Sequence, residues 1–428
     1  MKTKILLAAL VTAVLESAGS ALGGDIWLSS TNNLAYVNTQ TNSGAGTLQN
    51  PYSGDFDYIM GNYVPINSTV HLGSGIFWTK GNAFDIPYGT TVEGEGEAFT
   101  TVRRATNFAG YGQANINVLL SDRSNVTVRN LTVDCNAFDF YYQNWRHSIG
   151  GVDLSGSGET IEHVTDINGL GFMYAPEGFQ LSIGEYGQTG NKVIGCTVSN
   201  FLGTYGDGIA PSGDCVVEGN YIYLPVQPAG IPFRPLFGIN VVGAMKSALI
   251  VGNHVFGGGD AFHNDTGGDT NVTIANNVFE NVCQGVNLTG DRLPYNSIII
   301  SHNLMTQETN RTVYQQQLYM IDIETQLQGE TNQNITVDGN IIHYYQDVPF
   351  ASDGEQGAIF INGSGGQLNE NISIINNQID ARMPNEFVGN ILNLYASGNL
   401  PLNGTNFATA NGHPGLTNVA GSQTISQQ

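Results

Sequence analysis

The sequence predicts an all-β fold, a solenoid of stacked coils behind an N-terminal cap. The first observation is a short phrase that recurs six times, with one apolar residue three positions before an asparagine and another two positions after it. Spacings of 33, 24, 26, 37 and 37 residues separate the six asparagines, which are Asn220, Asn253, Asn277, Asn303, Asn340 and Asn377. Repeats of roughly 20–50 residues are typical of solenoids.

The second observation is another repeated strand between the asparagine phrases, which we call the Gly strand. In most copies it begins with a glycine or an alanine and continues with alternating apolar and outward positions. The copies begin at Gly151, Gly178, Asp207, Gly238, Ala261, Gly285, Met320 and Ala358. Two alternating strands per period, with no helical run between them, predict a coil of β-structure. Successive coils stack about 4.8 Å apart, so equivalent residues form columns.

The asparagine column predicts an amide ladder inside the solenoid. Inward Asn side chains at a bend can bond the backbone and the Asn of the next coil, which satisfies polar groups that are costly to bury alone. We interpret this column as a folding device and not as a catalytic one.

The doubled repeat with its asparagine column resembles the right-handed parallel β-helix of the pectin-lyase-like superfamily, over residues 90–395. The resemblance implies a single-stranded, right-handed β-helix. It also implies that residues 21–89 form the cap that precedes the coils, with Phe56 to Met60 as part of it. A cap protects the first strand edge and the end of the apolar core.

The two ends of the chain predict an exported, acidic protein. Residues 1–20 have a charged start, an apolar segment and a small-residue cleavage site, as a secretory signal peptide does. Cleavage would leave 12 basic and 35 acidic residues. Such acidity argues against nucleic acid as a partner, and no later apolar run is long enough to span a membrane. Residues 90–400 are predicted as the β-helix domain, and residues 401–428 as a polar tail.

Four cysteines fit an oxidising compartment but allow three disulfide pairings: Cys135, Cys196, Cys215 and Cys283. Cys196 takes the place of Asn in its repeat, which predicts an interior position. Buried free thiols and a disulfide both fit. The sequence contains no close CxxC or Cys/His pair, so it does not predict a metal site at the cysteines.

Four long insertions follow the asparagine strand and precede the next Gly strand, so they should form one wall along the solenoid. They are rich in aromatic residues, whose flat faces suit sugar rings. The candidate substrate-binding residues are Tyr141, Tyr142, Trp145, Tyr314 and Tyr319, with Arg292 as the nearest basic residue. The alternative is that these rings pack against the solenoid.

The Gly strands place carboxylates, amides and a histidine in outward columns. One predicted column runs Asp153, Gln180, Ala210, Asn240, His263, Asn287, Asp322 and Phe360, and Glu177, Asp207 and Asp260 lie just before their strands. The candidate catalytic residues are Asp207, Asp260, His263, Asp265, Asp322 and Glu324. Asp207 and Asp260 should lie two coils apart, and Glu177 and Asp207 one coil apart. A solvated acidic stripe is the alternative.

Parts of the sequence resemble catalytic motifs of the superfamily. "DGI" at Asp207 resembles the motif of polygalacturonase-like hydrolases, which implies acid catalysis by this residue. The next coil, "FGINVVG", lacks the double aspartate of those enzymes, and Asp260 and His263 come only later. Pectate-lyase-like enzymes use calcium and a basic residue, for which Arg292 is the candidate.

Two functions follow from these observations. The first is a secreted polysaccharide-active enzyme, a glycoside hydrolase or a polysaccharide lyase, with a polysaccharide or oligosaccharide as its partner. A polyanionic substrate would need Ca²⁺ to bridge it to this acidic protein, whereas a neutral glycan would need no cofactor. The second is a non-catalytic glycan-binding or surface solenoid. Fold alone does not decide between them.

Overall fold

A computed structural model shows a right-handed parallel β-helix, as predicted. The structure describes residues 23–31, 41–106, 116–137, 148–171, 178–185, 187–203, 206–224, 236–241, 243–257, 259–264, 267–290, 294–307, 318–325, 331–345, 356–362, 368–382, 392–395, 407–410 and 413–414. The predicted signal peptide and most of the predicted tail lie outside these residues.

The described residues form 38 strands and one helix. The first part of the chain contains β1 (Asp25–Leu28), β2 (Asn42–Ser43), β3 (Ser53–Gly54), α1 (Phe56–Tyr63), β4 (Thr69–Leu72), β5 (Gly75–Thr79), β6 (Thr91–Gly94), β7 (Thr100–Arg104), β8 (Ile116–Ser121), β9 (Thr127–Asp134), β10 (Ile149–Leu154), β11 (Thr160–Ile167) and β12 (Leu170–Gly171). The middle contains β13 (Gly178–Ile183), β14 (Asn191–Ile194), β15 (Thr197–Ser199), β16 (Leu202–Gly203), β17 (Gly206–Pro211), β18 (Cys215–Glu218), β19 (Tyr221–Leu224), β20 (Phe237–Val241), β21 (Ala248–Val251), β22 (His254–Gly257), β23 (Asp260–Asn264), β24 (Thr270–Ala275), β25 (Val278–Val282) and β26 (Gln284–Gly290). The last part contains β27 (Asn296–Ser301), β28 (Leu304–Gln307), β29 (Leu318–Thr325), β30 (Thr331–Asp338), β31 (Ile341–Tyr345), β32 (Gln356–Asn362), β33 (Leu368–Glu370), β34 (Ser373–Ile375), β35 (Gln378–Arg382), β36 (Leu392–Tyr395), β37 (Phe407–Ala410) and β38 (His413–Pro414).

Two long sheets run along the solenoid. The Gly strands form the smaller sheet, in which β10, β13, β17, β20, β23, β26, β29, β32 and β36 pair in parallel, coil after coil. The asparagine phrases form the larger sheet. Each phrase is two short strands and not one, because the chain bends at the asparagine, as between β18 and β19.

The bend has a clear cause in the sequence. The residue before each ladder asparagine has a positive φ between 54° and 66°, at Gly219, Gly252, Asn276, His302, Gly339 and Asn376. Glycine adopts this left-handed conformation without a steric cost, and asparagine and histidine tolerate it better than most residues. The pairs Gly-Asn, Asn-Asn and His-Asn in the repeats are therefore the signature of the turn.

The interior is apolar, as the repeats predict. The strands of both sheets point Ile, Val and Leu inward, and residues such as Ile250, Ile274, Ile239 and Val286 have no exposed surface. At roughly 25 cal/mol per Å² of buried apolar surface, this column packing is the main stabilising contribution.

The amide ladder is present from Asn220 to Asn377. The Oδ1 atom of Asn277 accepts hydrogen bonds from the backbone N–H and the Nδ2 of Asn253, at 2.9 and 3.0 Å. Its own Nδ2 donates to the carbonyl of Ile250 and to Oδ1 of Asn303, at 3.0 and 2.9 Å. The remaining steps of the ladder repeat this pattern.

The cap is continuous with the solenoid. Helix α1 covers the end of the core through buried Phe56, Ile59 and Met60, and the Phe56 ring packs 5.6 Å from that of Phe77. Asp55 caps the helix by accepting a hydrogen bond from the Tyr58 N–H. Parallel pairing of β1 with β4, β4 with β6, and β6 with β9 carries the sheet across residue 89, where the sequence suggested a boundary.

All four cysteines are buried free thiols, including Cys196 in its predicted interior position. In the described part of the chain, no helix is both long and apolar enough to span a membrane.

Candidate functional site

The outward side of the Gly-strand sheet carries two adjacent polar columns, which together we call the polar stripe. Pairing of Asp207 with Phe237, and of Phe237 with Asp260, places the two aspartates two coils apart in the first column, as predicted. In the second column Asn240 pairs with His263, His263 with Asn287, and Asn287 with Asp322. The inward residues between the columns, such as Ile209 and Phe262, belong to the core.

The stripe is connected by side-chain contacts between coils. Asn240 Nδ2 donates to Asp207 Oδ2 at 2.9 Å. Two coils on, Asn287 Nδ2 lies 3.4 Å from Asp260 Oδ2 and 3.1 Å from Gln284 Oε1. Each carboxylate is thus held by an amide of a following coil.

Asp260 also contacts a histidine. Its Oδ2 lies 3.3 Å from His263 Nδ1, and the imidazole stacks on the Phe237 ring with centroids 4.2 Å apart. The contact lacks hydrogen-bond geometry, and His263 Nδ1 has no hydrogen-bond partner among the described residues. Asp260, His263 and Phe237 therefore form a packed unit in which a carboxylate and an imidazole lie close enough to exchange a proton.

The stripe is nearly buried, and some of its polar atoms have no partner. Asp207 is fully buried and Asp260 is 3% exposed, whereas the His263 side chain is 12% exposed. Within the described residues, Asn240 Oδ1 and Asn287 Oδ1 are buried without a hydrogen-bond partner. Buried polar atoms are almost always paired, so such exceptions point to a bound group.

Solved structures with low sequence identity share this architecture. The Agl-KA catalytic domain aligns with a TM-score of 0.51 and 15% identity, over 81% of this chain and 60% of that chain. The Dettilon tailspike protein gp208 aligns with a TM-score of 0.53 and 15% identity, over 80% of this chain and 62% of that one. A GH87 alpha-1,3-glucanase catalytic domain, the D1069A variant in complex with tetrasaccharides, aligns with a TM-score of 0.47 and 13% identity. The alignment covers 82% of this chain and 62% of that one.

The chain shares the parallel β-helix fold with these solved structures. It spans about three fifths of the length of these neighbours. No protein-family model and no curated protein sequence matches it. At these identities the likeness establishes the fold of this β-helix protein and not its activity.

Four of the six predicted catalytic residues lie on the polar stripe: Asp207, Asp260, His263 and Asp322. Asp260 and His263 share one coil and are in contact, whereas Asp207 lies two coils before them and Asp322 two coils after them. Glu324 pairs with Thr289 on the same strands. Asp265, Arg292, Tyr141, Tyr142, Trp145 and Tyr314 lie outside the described residues. Among the described residues, no cluster of three or more His, Cys, Asp or Glu could hold a metal.

The predicted placement of two residues is wrong. Gln180 is not in the outward column: it is fully buried near the Cys135 thiol, and Ser182 pairs with Asp153 in its place. Glu177 lies outside the described residues, and the residue that pairs with Asp207 in the preceding coil is Phe179. Tyr319 belongs to strand β29 and is fully buried, so it offers no exposed ring to a substrate.

The sequence did not predict a pocket at the N-terminal end of the polar stripe. Its cavity of about 260 Å³ is lined by Asp153, Ser155, Phe179, Ser182, Gly184, Glu185, Ala210, Pro211 and Ser212. The short side chains that follow Asp153 in its column, Ser182 and Ala210, leave this space open. The run of serines at the ends of three successive Gly strands was the available sequence signal.

Two acids at this pocket have raised pKa values. Burial raises the pKa of Asp153, the negative charges of Asp122 and Glu185 raise it further, and a hydrogen bond with Ser182 opposes the shift. Asn117 Nδ2 donates to Asp153 Oδ2 at 2.8 Å. Behind the pocket, burial raises the pKa of Glu159 to about 8, with the charge of Asp153 acting in the same direction.

Proposed function

We propose that this protein is an exported polysaccharide-active enzyme, a glycoside hydrolase or a polysaccharide lyase, whose glycan substrate lies along the polar stripe. The observation that carries the proposal is the unit of Asp260, His263 and Phe237, beside the unpartnered amide oxygens of Asn240 and Asn287. A close acid-base pair next to unsatisfied polar atoms is what a site for sugar hydroxyls requires.

The spacing of Asp207 and Asp260 is larger than the carboxyl separation that a retaining hydrolase uses. Asp207 and Asp260 are two coils apart, which corresponds to about 10 Å. Inverting glycosidases separate their two carboxyl groups by roughly 6.5–9.5 Å to admit a water, and retaining ones by about 5 Å. A lyase would need a cation beside a uronate carboxylate, and the described members of the stripe include no Lys or Arg.

His263 is the group most accessible to substrate in this unit. Asp260 would hold the imidazole, and the ring nitrogen remote from Asp260 would exchange a proton with the glycan or with the attacking water. Asp260 and His263 would thus act as one proton-transfer unit, and Asp207 would be the carboxylate that opposes it. Asp322, farther along the same sheet, would contact the glycan chain.

A second candidate is a non-catalytic glycan-binding solenoid, which the near-complete burial of Asp207 and Asp260 favours. In that case the stripe would stabilise the sheet, and sugars would bind elsewhere on the surface. The two candidate functions differ in whether substitutions in the polar stripe change the release of product from a glycan.

The test compares product release from a panel of neutral and uronate polysaccharides, with and without calcium. Asp260→Asn and His263→Gln should reduce turnover about 10²–10⁴-fold, the typical contribution of acid-base catalysis. Asp338→Asn is the matched control, since Asp338 lies on the other sheet and bonds Asn376. It should retain full activity.

Full activity of both Asp260→Asn and His263→Gln would refute this active site. A parent protein that binds a glycan but releases no product from any polysaccharide of the panel would establish the second candidate.

A further inference from the structure

The pocket at the N-terminal end of the polar stripe is a separate feature from the Asp260 and His263 unit. Ala210 lines the pocket and stands beside Asn240, which pairs with His263. The pocket and His263 are therefore two coils apart, or about 10 Å. Both open on the same sheet, so one extended glycan could reach both.

One residue of the pocket lining has an unpartnered hydroxyl. Ser212 is 7% exposed, and its Oγ atom is buried with no hydrogen-bond partner among the described residues. A buried hydroxyl without a partner costs about 1–3 kcal/mol, so its retention points to a bound polar group. The carboxyl of Asp153 lines the same cavity.

The lining also offers an apolar face. Phe179 is half-buried and borders the cavity together with Pro211. An aromatic face beside carboxylate and hydroxyl groups matches a sugar ring, which has C–H faces and hydroxyl edges. The cavity of about 260 Å³ is smaller than typical drug-sized pockets, so it suits a single ring.

The charges at the pocket disfavour an anionic sugar. Its titratable lining residues are Asp153 and Glu185, with Asp122 close enough to influence Asp153. The nearby Arg123 points to Asp85, at 3.9 Å. A uronate carboxylate would meet like charges here, which disfavours binding.

We propose that this pocket binds one uncharged sugar ring of the glycan chain, two coils from His263, and so selects neutral glycans. The ring lies against Phe179 and its hydroxyls bond Ser212 Oγ and the Asp153 carboxyl. This proposal rests on the proposed function for the identity of the chain, but its binding step is independent of catalysis.

The test measures binding by titration calorimetry with cello-, xylo- and manno-hexaose and with the hexamers of galacturonate and mannuronate. At least one neutral hexamer should bind, and the uronates should bind more weakly. Ser212→Ala should weaken that binding roughly 3–10-fold and Phe179→Ala roughly tenfold, which are the effects of one hydrogen bond and one aromatic contact. Ser301→Ala, on the other sheet, is the matched control and should bind as the parent does.

A charge variant tests the selectivity directly. Glu185→Gln should keep the neutral hexamer bound and reduce the discrimination against uronates. If the parent cleaves the glycan, Ser212→Ala should raise KM with little change in kcat, since the pocket is remote from the reacting bond.

Failure of the pocket and failure of the active site give different results. Unchanged affinity in both Ser212→Ala and Phe179→Ala, tighter binding of uronates than of neutral hexamers by the parent, or no binding of any hexamer would overturn the pocket proposal. Lost binding in these variants together with full turnover in Asp260→Asn would instead keep the pocket and reject the active site.

Discussion

The asparagine ladder and the polar stripe both run along this β-helix, and they differ in how their side chains are bonded. The ladder from Asn220 to Asn377 uses one residue type, and each amide satisfies the next. The polar stripe changes residue at almost every coil and leaves Asn240 Oδ1 and Asn287 Oδ1 without partners among the described residues. A repeated residue whose hydrogen bonds are all made within the ladder stabilises the fold. A stripe of varied residues with unpartnered polar atoms can also bind a ligand.

The largest expected effect breaks the ladder. Asn277→Leu removes the acceptor used by the N–H and Nδ2 of Asn253, and leaves Oδ1 of Asn303 and the carbonyl of Ile250 each without one donor. We expect the free energy of unfolding to fall by roughly 1–3 kcal/mol, the cost of unpaired buried groups. Chemical denaturation measures it.

The control is Thr273→Ala, on an outward position of the same coil, which should change stability far less. Equal stability of Asn277→Leu and the parent would remove the ladder from the forces that hold the fold.

The ladder and the coils were predictable because each coil repeats the same bend, which fixes the alignment from Asn220 onward. The N-terminal coils lack that asparagine, and there the alignment is wrong. A shift of two residues keeps the inward and outward alternation of a strand, so alternation alone could not choose between Gln180 and Ser182. Burial of the stripe was not predictable either, because alternation shows which side a residue faces and not what covers it.

The next effect concerns a buried acid behind the pocket. The pKa of Glu159 is about 8 in the folded protein against an ordinary value of 4.5, so the folded state binds this proton more tightly than the unfolded state. Stability from this group is fully present below about pH 4.5 and is lost as the pH rises to about 8.

Glu159→Gln should therefore flatten the decline of stability over that window, by on the order of 1 kcal/mol or more. Denaturation midpoints between pH 4 and pH 9 measure the effect, with Glu280→Gln, at a more exposed site, as the control. A parent profile as flat as that of the variant would contradict the buried, protonated carboxyl.

A smaller effect extends the ladder by one step. The N–H of Cys196 already donates to Asn220 Oδ1, and its thiol lies 3.6 Å from the carbonyl of Ile161. That carbonyl stands where the amide of an added asparagine would donate. Cys196→Asn should thus stabilise the protein by about 0.5–1.5 kcal/mol.

Cys196→Ser is the comparison, because it adds a polar group that cannot bridge two coils. A destabilised Cys196→Asn with an unchanged Cys196→Ser would mean that the ladder ends at Asn220 for reasons of space.

The smallest expected change in stability comes from making the same Asn→Leu substitution in the polar stripe. Asn287→Leu removes two donor contacts, to Asp260 and Gln284, and at the same time removes a buried oxygen that has no partner among the described residues. The two changes oppose each other, so the free energy of unfolding should change by less than about 1 kcal/mol. Glycan turnover should fall nevertheless, because Asp260 loses a group that holds it.

Measured side by side, Asn277→Leu should unfold at lower denaturant concentration than Asn287→Leu. If Asn287→Leu is as destabilising as Asn277→Leu, the ladder and the polar stripe both stabilise the fold, and the argument for a ligand at the stripe loses its physical basis.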